Sequence, residues 1–192
     1  DEVWHRLVQV IVSDSDVQKH AVEKIFQLLS SWSVSSTSSG GVTQSSSPTT
    51  TIAPNAVSPT TPAANNATEG ALCPETVVKV AALLLGEFGF QIALNSNSSP
   101  MDQVLAIHSK FPYVSNATKA MLLTTLVKFY NLFDSAVVRR KIVKILESYQ
   151  GHVDSELQQR ATEYLALVQR ASDAVLQAAL EPLPPTDFQM GR

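Results

Sequence analysis

The chain has 192 residues, with 14 Lys plus Arg against 17 Asp plus Glu and a net charge of −3. That balance lacks the basic excess by which nucleic-acid-binding proteins hold phosphates. A single cysteine, Cys73, excludes an internal disulfide framework or a cysteine-built zinc cluster, and no apolar run approaches the ~18–20 residues of a membrane span.

Asp1 to Arg6 lack the basic and apolar regions of a signal peptide, and there is no initiator Met, so the chain reads as a piece of a longer protein. Val3, Trp4, Leu7, Val8, Ile11 and Val12 recur at helical spacing. Ser13 to Asp16 breaks the pattern and supplies cap oxygens for a second helix carrying Val17, Ala21, Ile25, Phe26, Leu28 and Leu29. Residues 31–70 differ in kind: they hold ten Ser, eight Thr and four Pro, and Glu69 is their only charge. Their few apolar residues follow no period, so they cannot offset backbone ordering at ~1–2 kcal/mol per residue. Residues 31–72 are therefore expected to be a disordered insert, which leaves roughly 150 residues, enough for a real core.

Beyond it, Pro74 suits a helix first turn, and Val77, Val78, Ala81, Leu84, Leu85 and Phe88 follow at helical spacing. Asn95 to Pro100 reads as a loop. A short helix over 101–111 is expected to end before Pro112. Ser115 or Asn116 can cap a helix that is apolar nearly all round, from Ala120 through Leu122, Leu123, Leu126, Val127 and Phe129 to Phe133, the mark of burial on several sides. Residues 136–149 show a cleaner stripe of Val138, Ile142, Ile145, Leu146 and Tyr149. Asp154 or Ser155 opens a helix with Leu157, Ala161, Tyr164, Leu165 and Val168, and a last one over 173–180 stops at the prolines 182, 184 and 185. The expectation is an all-α fold of about eight helices with mostly short connections. Stacked antiparallel pairs forming an α-solenoid, or a closed bundle, satisfy it; the all-round apolar helix favours the solenoid, where an inner row is covered by its neighbours. Residues 1–30 and 73–181 form this helical part, and 182–192 are a Pro-rich end.

The charge is segregated. Residues 1–102 sum to −5, 103–150 to +5 and 151–192 to −3. Arg139, Arg140, Lys141 and Lys144 form the candidate electropositive patch, and on a helix Arg140, Lys141 and Lys144 lie away from the apolar stripe. Such a face suits an acidic partner segment or an anionic membrane; the plainer reading is a solvated surface. Gly86-Glu87-Phe88-Gly89 lacks the spacing of a phosphate loop and reads as a close helix approach and a helix stop, with Glu87 as a buried polar anchor. His5, His20, His108 and His152 are scattered without metal-ligand spacing, and no nucleophile elbow occurs. No cofactor, metal or catalytic site is expected, and the chain reads as a non-enzyme. The glycosylation acceptor triplets at Asn66, Asn97 and Asn116 are short enough to arise by chance.

Several strings, in order, carry a resemblance. They are Asp1-Glu2-Val3-Trp4-His5-Arg6-Leu7-Val8-Gln9-Val10-Ile11-Val12, Leu85-Gly86-Glu87-Phe88-Gly89, His108-Ser109-Lys110-Phe111, Leu122-Leu123-Thr124-Thr125 with Asn131-Leu132-Phe133, Glu156-Leu157-Gln158-Gln159-Arg160-Ala161 with Glu163-Tyr164-Leu165, and Glu181-Pro182-Leu183-Pro184-Pro185. Together they resemble the large adaptins, subunits of clathrin adaptor complexes. Among these the alpha type fits better than the gamma type, which shares Leu-Gln-Gln-Arg-Ala but usually has Tyr where Phe88 stands. The resemblance implies the C-terminal part of a trunk built of HEAT/armadillo-like helix pairs. It implies a cytoplasmic protein, peripheral on the plasma membrane at coated pits, whose partners are a second large, a medium and a small chain. Clathrin and cargo would be engaged through the assembled complex, and the phosphoinositide membrane through parts outside this stretch, so no ligand residues carry over. The insert is the departure: the corresponding connection in typical adaptins is much shorter.

Overall fold

In the computed structural model, residues 2–32 and 74–183 are described. They contain eight α-helices, two short 3-10 helices and no strand. The expected insert and Pro-rich end fall largely outside them; only Ser31, Trp32, Pro182 and Leu183 of those segments are described. The α-helices are α1 (Glu2–Ser13), α2 (Ser15–Ser31), α3 (Glu75–Phe88), α4 (Pro100–His108), α5 (Asn116–Leu132), α6 (Ala136–Tyr149), α7 (Ser155–Arg170) and α8 (Asp173–Ala179).

The helix starts follow the cap chemistry of the sequence. Asp14 accepts from the Asp16 amide at 3.0 Å and opens α2. Ser99 and Asp102 form a reciprocal capping box at α4, with Pro100 in the first turn. Ser115 opens α5 and Asp154 opens α7, each accepting from the amide three residues on. A cap of this kind contributes ~1 kcal/mol.

Two rows of helices emerge from the packing. The odd-numbered helices touch in sequence, α1 on α3, α3 on α5 and α5 on α7, while α2 lies on α4 and α4 on α6. Cross-contacts such as α2 with α3, α5 with α6 and α6 with α7 join the rows. This is the two-layer arrangement of an α-solenoid. Its core is continuous, from Val8 and Ile11 through Leu84, Leu85, Leu122, Leu123 and Phe129 to Ile142, Leu157 and Val168. As its composition suggested, α5 is central: Leu122, Leu123, Leu126, Val127 and Phe129 are inaccessible to solvent, and α5 packs on α3, α4, α6 and α7.

Small residues bring α3 against α5. Ala81, Ala82 and Gly86 are buried there, and a Cβ on Gly86 would lie 3.5 Å from Lys128 Cδ and 3.7 Å from Thr125 Cα, ordinary contact. Thr125 donates to the Ala82 carbonyl at 2.8 Å across this approach. Glu87 is buried and paired with Lys128, and its other oxygen accepts from the Leu183 amide at 3.3 Å, which seats the chain leaving α8 on the α3–α5 ridge. Gly89 caps α3 in the right-handed region, with φ of −57°, so it ends the helix without a left-handed turn. A side chain there would collide with Gln103 Oε1. Gln103 is itself pinned, donating to the carbonyls of Gly89 and Ser98 at 2.9 Å each.

Three expectations shift. The first-helix stripe is only partly covered: Val8, Ile11 and Val12 are buried, whereas Val3 is 81% and Leu7 50% exposed. The helix expected over 101–111 ends at His108, and Pro112 lies inside a separate 3-10 turn, Phe111–Tyr113. A further 3-10 turn, Gly89–Ile92, extends α3 and was not foreseen.

Candidate functional site: a basic ridge on α6

The apolar stripe of α6 is committed inward. Val138, Ile142, Ile145 and Leu146 are buried, and Tyr149 is half-buried in a row of rings with Phe111 at 5.1 Å and His152 at 5.5 Å. Helical geometry then places the intervening cations outward.

The structure divides the four candidate residues. Arg139 is half-buried and turned to the end of α5: its Nε donates to the Tyr130 carbonyl at 3.1 Å, Nη1 pairs with Asp134 at 3.1 Å, and the guanidinium carbon stands 5.2 Å from the Tyr130 ring centre. Arg140 and Lys144 are exposed and Lys141 is half-buried. These three surround a recess of about 370 Å³ between α4 and α6, with Met101 and Val137 as its apolar lining. On the other side of α6, Arg140 and Lys144 meet Arg139, Tyr130, Val143 and Glu147 around a second hollow of about 260 Å³. Arg140 and Lys144 therefore stand on a ridge between two depressions.

The remaining cations of the basic stretch each have a partner within the chain. Lys110 is buried and donates to the Trp32 carbonyl at 2.6 Å, Lys128 pairs with Glu87, and Lys119 donates to Asn116 at 3.3 Å. Among the described residues, Arg140, Lys141 and Lys144 make no ion pair; Arg140 Nε donates to the Ala136 carbonyl at 3.2 Å. Lys141 also acts on His108 of α4, whose pKa lies below the ordinary imidazole value of 6.5, first through burial and then through the Lys141 charge. The sequence located the cations but could not reveal Met101, which reaches the recess from another helix.

Elsewhere the polar chemistry is structural. Glu75 at the start of α3 accepts from the hydroxyls of Ser115 and Thr118 and from the Ser115 amide, which holds its carboxyl below the ordinary 4.5 and ties α3 to the head of α5. Asn116 donates to Asp154 at 2.9 Å, joining the heads of α5 and α7. Arg160 pairs with Glu156 and reaches Thr124, whose hydroxyl lies 2.8 Å from that of Tyr164. No group of His, Cys, Asp or Glu suited to a metal occurs among the described residues. No helix there is long and apolar enough to cross a membrane.

Stacked helices around one unbroken core, with polar groups spent on joining helices, define a helical-repeat scaffold. Comparison with known proteins supplies the particular family. The model of the adaptin N-terminal region matches residues 64–172, and the chain belongs to that family. It is 31% identical over 184 residues to the AP-2 complex subunit alpha-2 of Dictyostelium discoideum, covering 96% of this chain and 14% of that protein. It is 30% identical over 185 residues to the AP-2 complex subunit alpha of Schizosaccharomyces pombe, covering 96% and 16%. The counterpart in Saccharomyces cerevisiae is 26% identical over 189 residues. The chain thus spans about one-seventh of the length of these relatives, and the alpha-adaptin resemblance of the sequence agrees with them.

Proposed function

We propose that this chain is the C-terminal part of the trunk of an alpha-type clathrin adaptor large subunit, and that it acts as a non-catalytic scaffold. Its role is rigid positioning. One unbroken core carries load from α1 to α7, while exposed ridges dock onto a second large, a medium and a small chain. In that assembly it supports cargo selection and clathrin-mediated endocytosis, in the cytoplasm at coated pits of the plasma membrane. The observation that carries the reading is the match to AP-2 alpha subunits over 96% of the chain, coincident with the two-row helical packing. Three polar joints (Glu75 to Ser115 and Thr118, Asn116 to Asp154, Glu87 to Lys128) fix one helix on the next, as a positioning part requires.

The test is gentle purification of the tagged parent protein from its own cells, followed by mass spectrometry. Recovery of a second large adaptin with one medium and one small chain is the expected result. A folded preparation that brings none of them overturns the assembly role.

A further inference from the structure

We propose that the recess between α4 and α6 is a docking site for an acidic peptide segment of a partner protein, with one aliphatic side chain between carboxylates. The proposal goes beyond the adaptor reading and stands without it. Three cations border the recess, and its lining is apolar, from Met101 of α4 and Val137 of α6. Val137 is 58% exposed, so part of this lining faces water. Arg140 and Lys144 are one helical turn apart and repel each other, as like charges at that spacing do. No carboxylate lines the recess, and among the described residues none is within ion-pair distance of these cations. Asp102, beside Met101, is engaged with Ser99, whose hydroxyl lies at 2.6 Å and amide at 3.1 Å. Glu147 lines the hollow on the opposite side of α6. A carboxylate-bearing ligand relieves this repulsion and is steered to it.

Shape favours a peptide over a bilayer. Val137 to Lys144 spans ~10 Å along the axis at 1.5 Å per residue, the length of about three extended residues. Carboxylates on either side of one leucine therefore reach successive cations while the leucine covers Met101 and Val137. A lipid surface meets the cations too, but it has no need of a concave apolar lining between two helices.

The measurement is fluorescence anisotropy of the full chain with a labelled peptide bearing two Glu on each side of a Leu. Its Gln-for-Glu and Ser-for-Leu counterparts are run alongside. We expect binding that weakens at least tenfold for the Gln peptide, several-fold for the Ser peptide, and several-fold between 50 and 200 mM salt, on the order expected for exposed charges. The double variant Lys141→Glu/Lys144→Glu should lose at least tenfold, and so should Val137→Glu, which places a carboxylate in the recess through an exposed side chain. Lys19→Glu/Lys24→Glu on α2, with the same change in net charge, should bind as the parent does. Circular dichroism melts confirm that each variant is folded. Affinity unchanged by Val137→Glu or by the α6 reversal overturns the proposal, as does indifference to the Leu. Sedimentation with phosphatidylserine vesicles without peptide binding overturns it in favour of a membrane contact.

Discussion

The helices α1 and α5 teach opposite lessons about reading burial from pattern. In sequence α1 is the better amphipath, with apolar residues at clean helical spacing. Yet only Val8, Ile11 and Val12 of its stripe are buried, and Val3, Leu7, Ile25, Leu28 and Val80 border an open apolar recess of about 390 Å³ between α1, α2 and α3. α5 has almost no amphipathic asymmetry, and eight of its residues are buried. A helix gains a clear polar face when one side meets water, and it loses that face when neighbours cover it on several sides. Amphipathicity therefore marks a helix with one face left to water, and its absence marks a helix covered on several sides.

The sharpest way to break this contrast is a carboxylate at the centre. Leu123→Asp should abolish the cooperative thermal melt, because an unpaired buried charge costs several kcal/mol, comparable with a whole domain's stability of ~5–15 kcal/mol. A melt like that of the parent would show that α5 is not the core. Next in size is Lys128→Met, which leaves Glu87 buried and unpaired and should cost ~3–5 kcal/mol in urea denaturation. Adding Glu87→Met should restore much of that loss. If the pair made no contribution, Lys128→Met alone would be nearly neutral.

Glycines on the same helix should behave differently. Gly89→Ala drives a Cβ into Gln103, which two hydrogen bonds hold in place, and should cost ~1–3 kcal/mol. Gly86→Ala meets only ordinary contacts and should be neutral or stabilising by up to ~1 kcal/mol through helix propensity. Equal effects in urea titrations would contradict the packing between α3 and α4.

A smaller effect is set by pH. The folded carboxyl of Glu75 lies below the ordinary 4.5, held down first by the Ser115 hydroxyl and then by that of Thr118. A depressed carboxylate contributes stability above its unfolded pKa and loses it as pH falls through the folded value. The parent should therefore melt above Glu75→Gln at pH 7, and the gap should close as pH drops below about 4.5. A gap constant from pH 7 to 3 would show that ionised Glu75 contributes nothing. At the small end, Val3→Asp on exposed α1 should change stability by no more than ~0.5 kcal/mol.

Much of the fold was legible because it rests on local rules. Caps at Asp14, Ser115 and Asp154 are side-chain oxygens three or fewer residues from the amides they receive, so the chain carries them wherever it folds. The α6 stripe was legible for the same reason. The 3-10 turn through Phe111–Tyr113 was not, since Pro112 forbids a continuing α-helix without dictating what replaces it. Nor was the partial exposure of α1, which depends on what lies beside it.

The site divides along the same line. That cations cluster at 139–144 is a property of the sequence. That Arg139 is spent on Asp134 and Tyr130, that Lys110 and Lys128 are used inside the fold, and that Met101 joins Lys141 and Lys144 around one recess are tertiary facts. The sequence alone determined the helices, their caps and their apolar faces, because hydrogen bonds three or four residues apart and a 3.6-residue period are local. Which faces are covered, which charges are neutralised and which remain at the surface were decided only when the two rows packed, because those quantities belong to neighbours far apart in the chain.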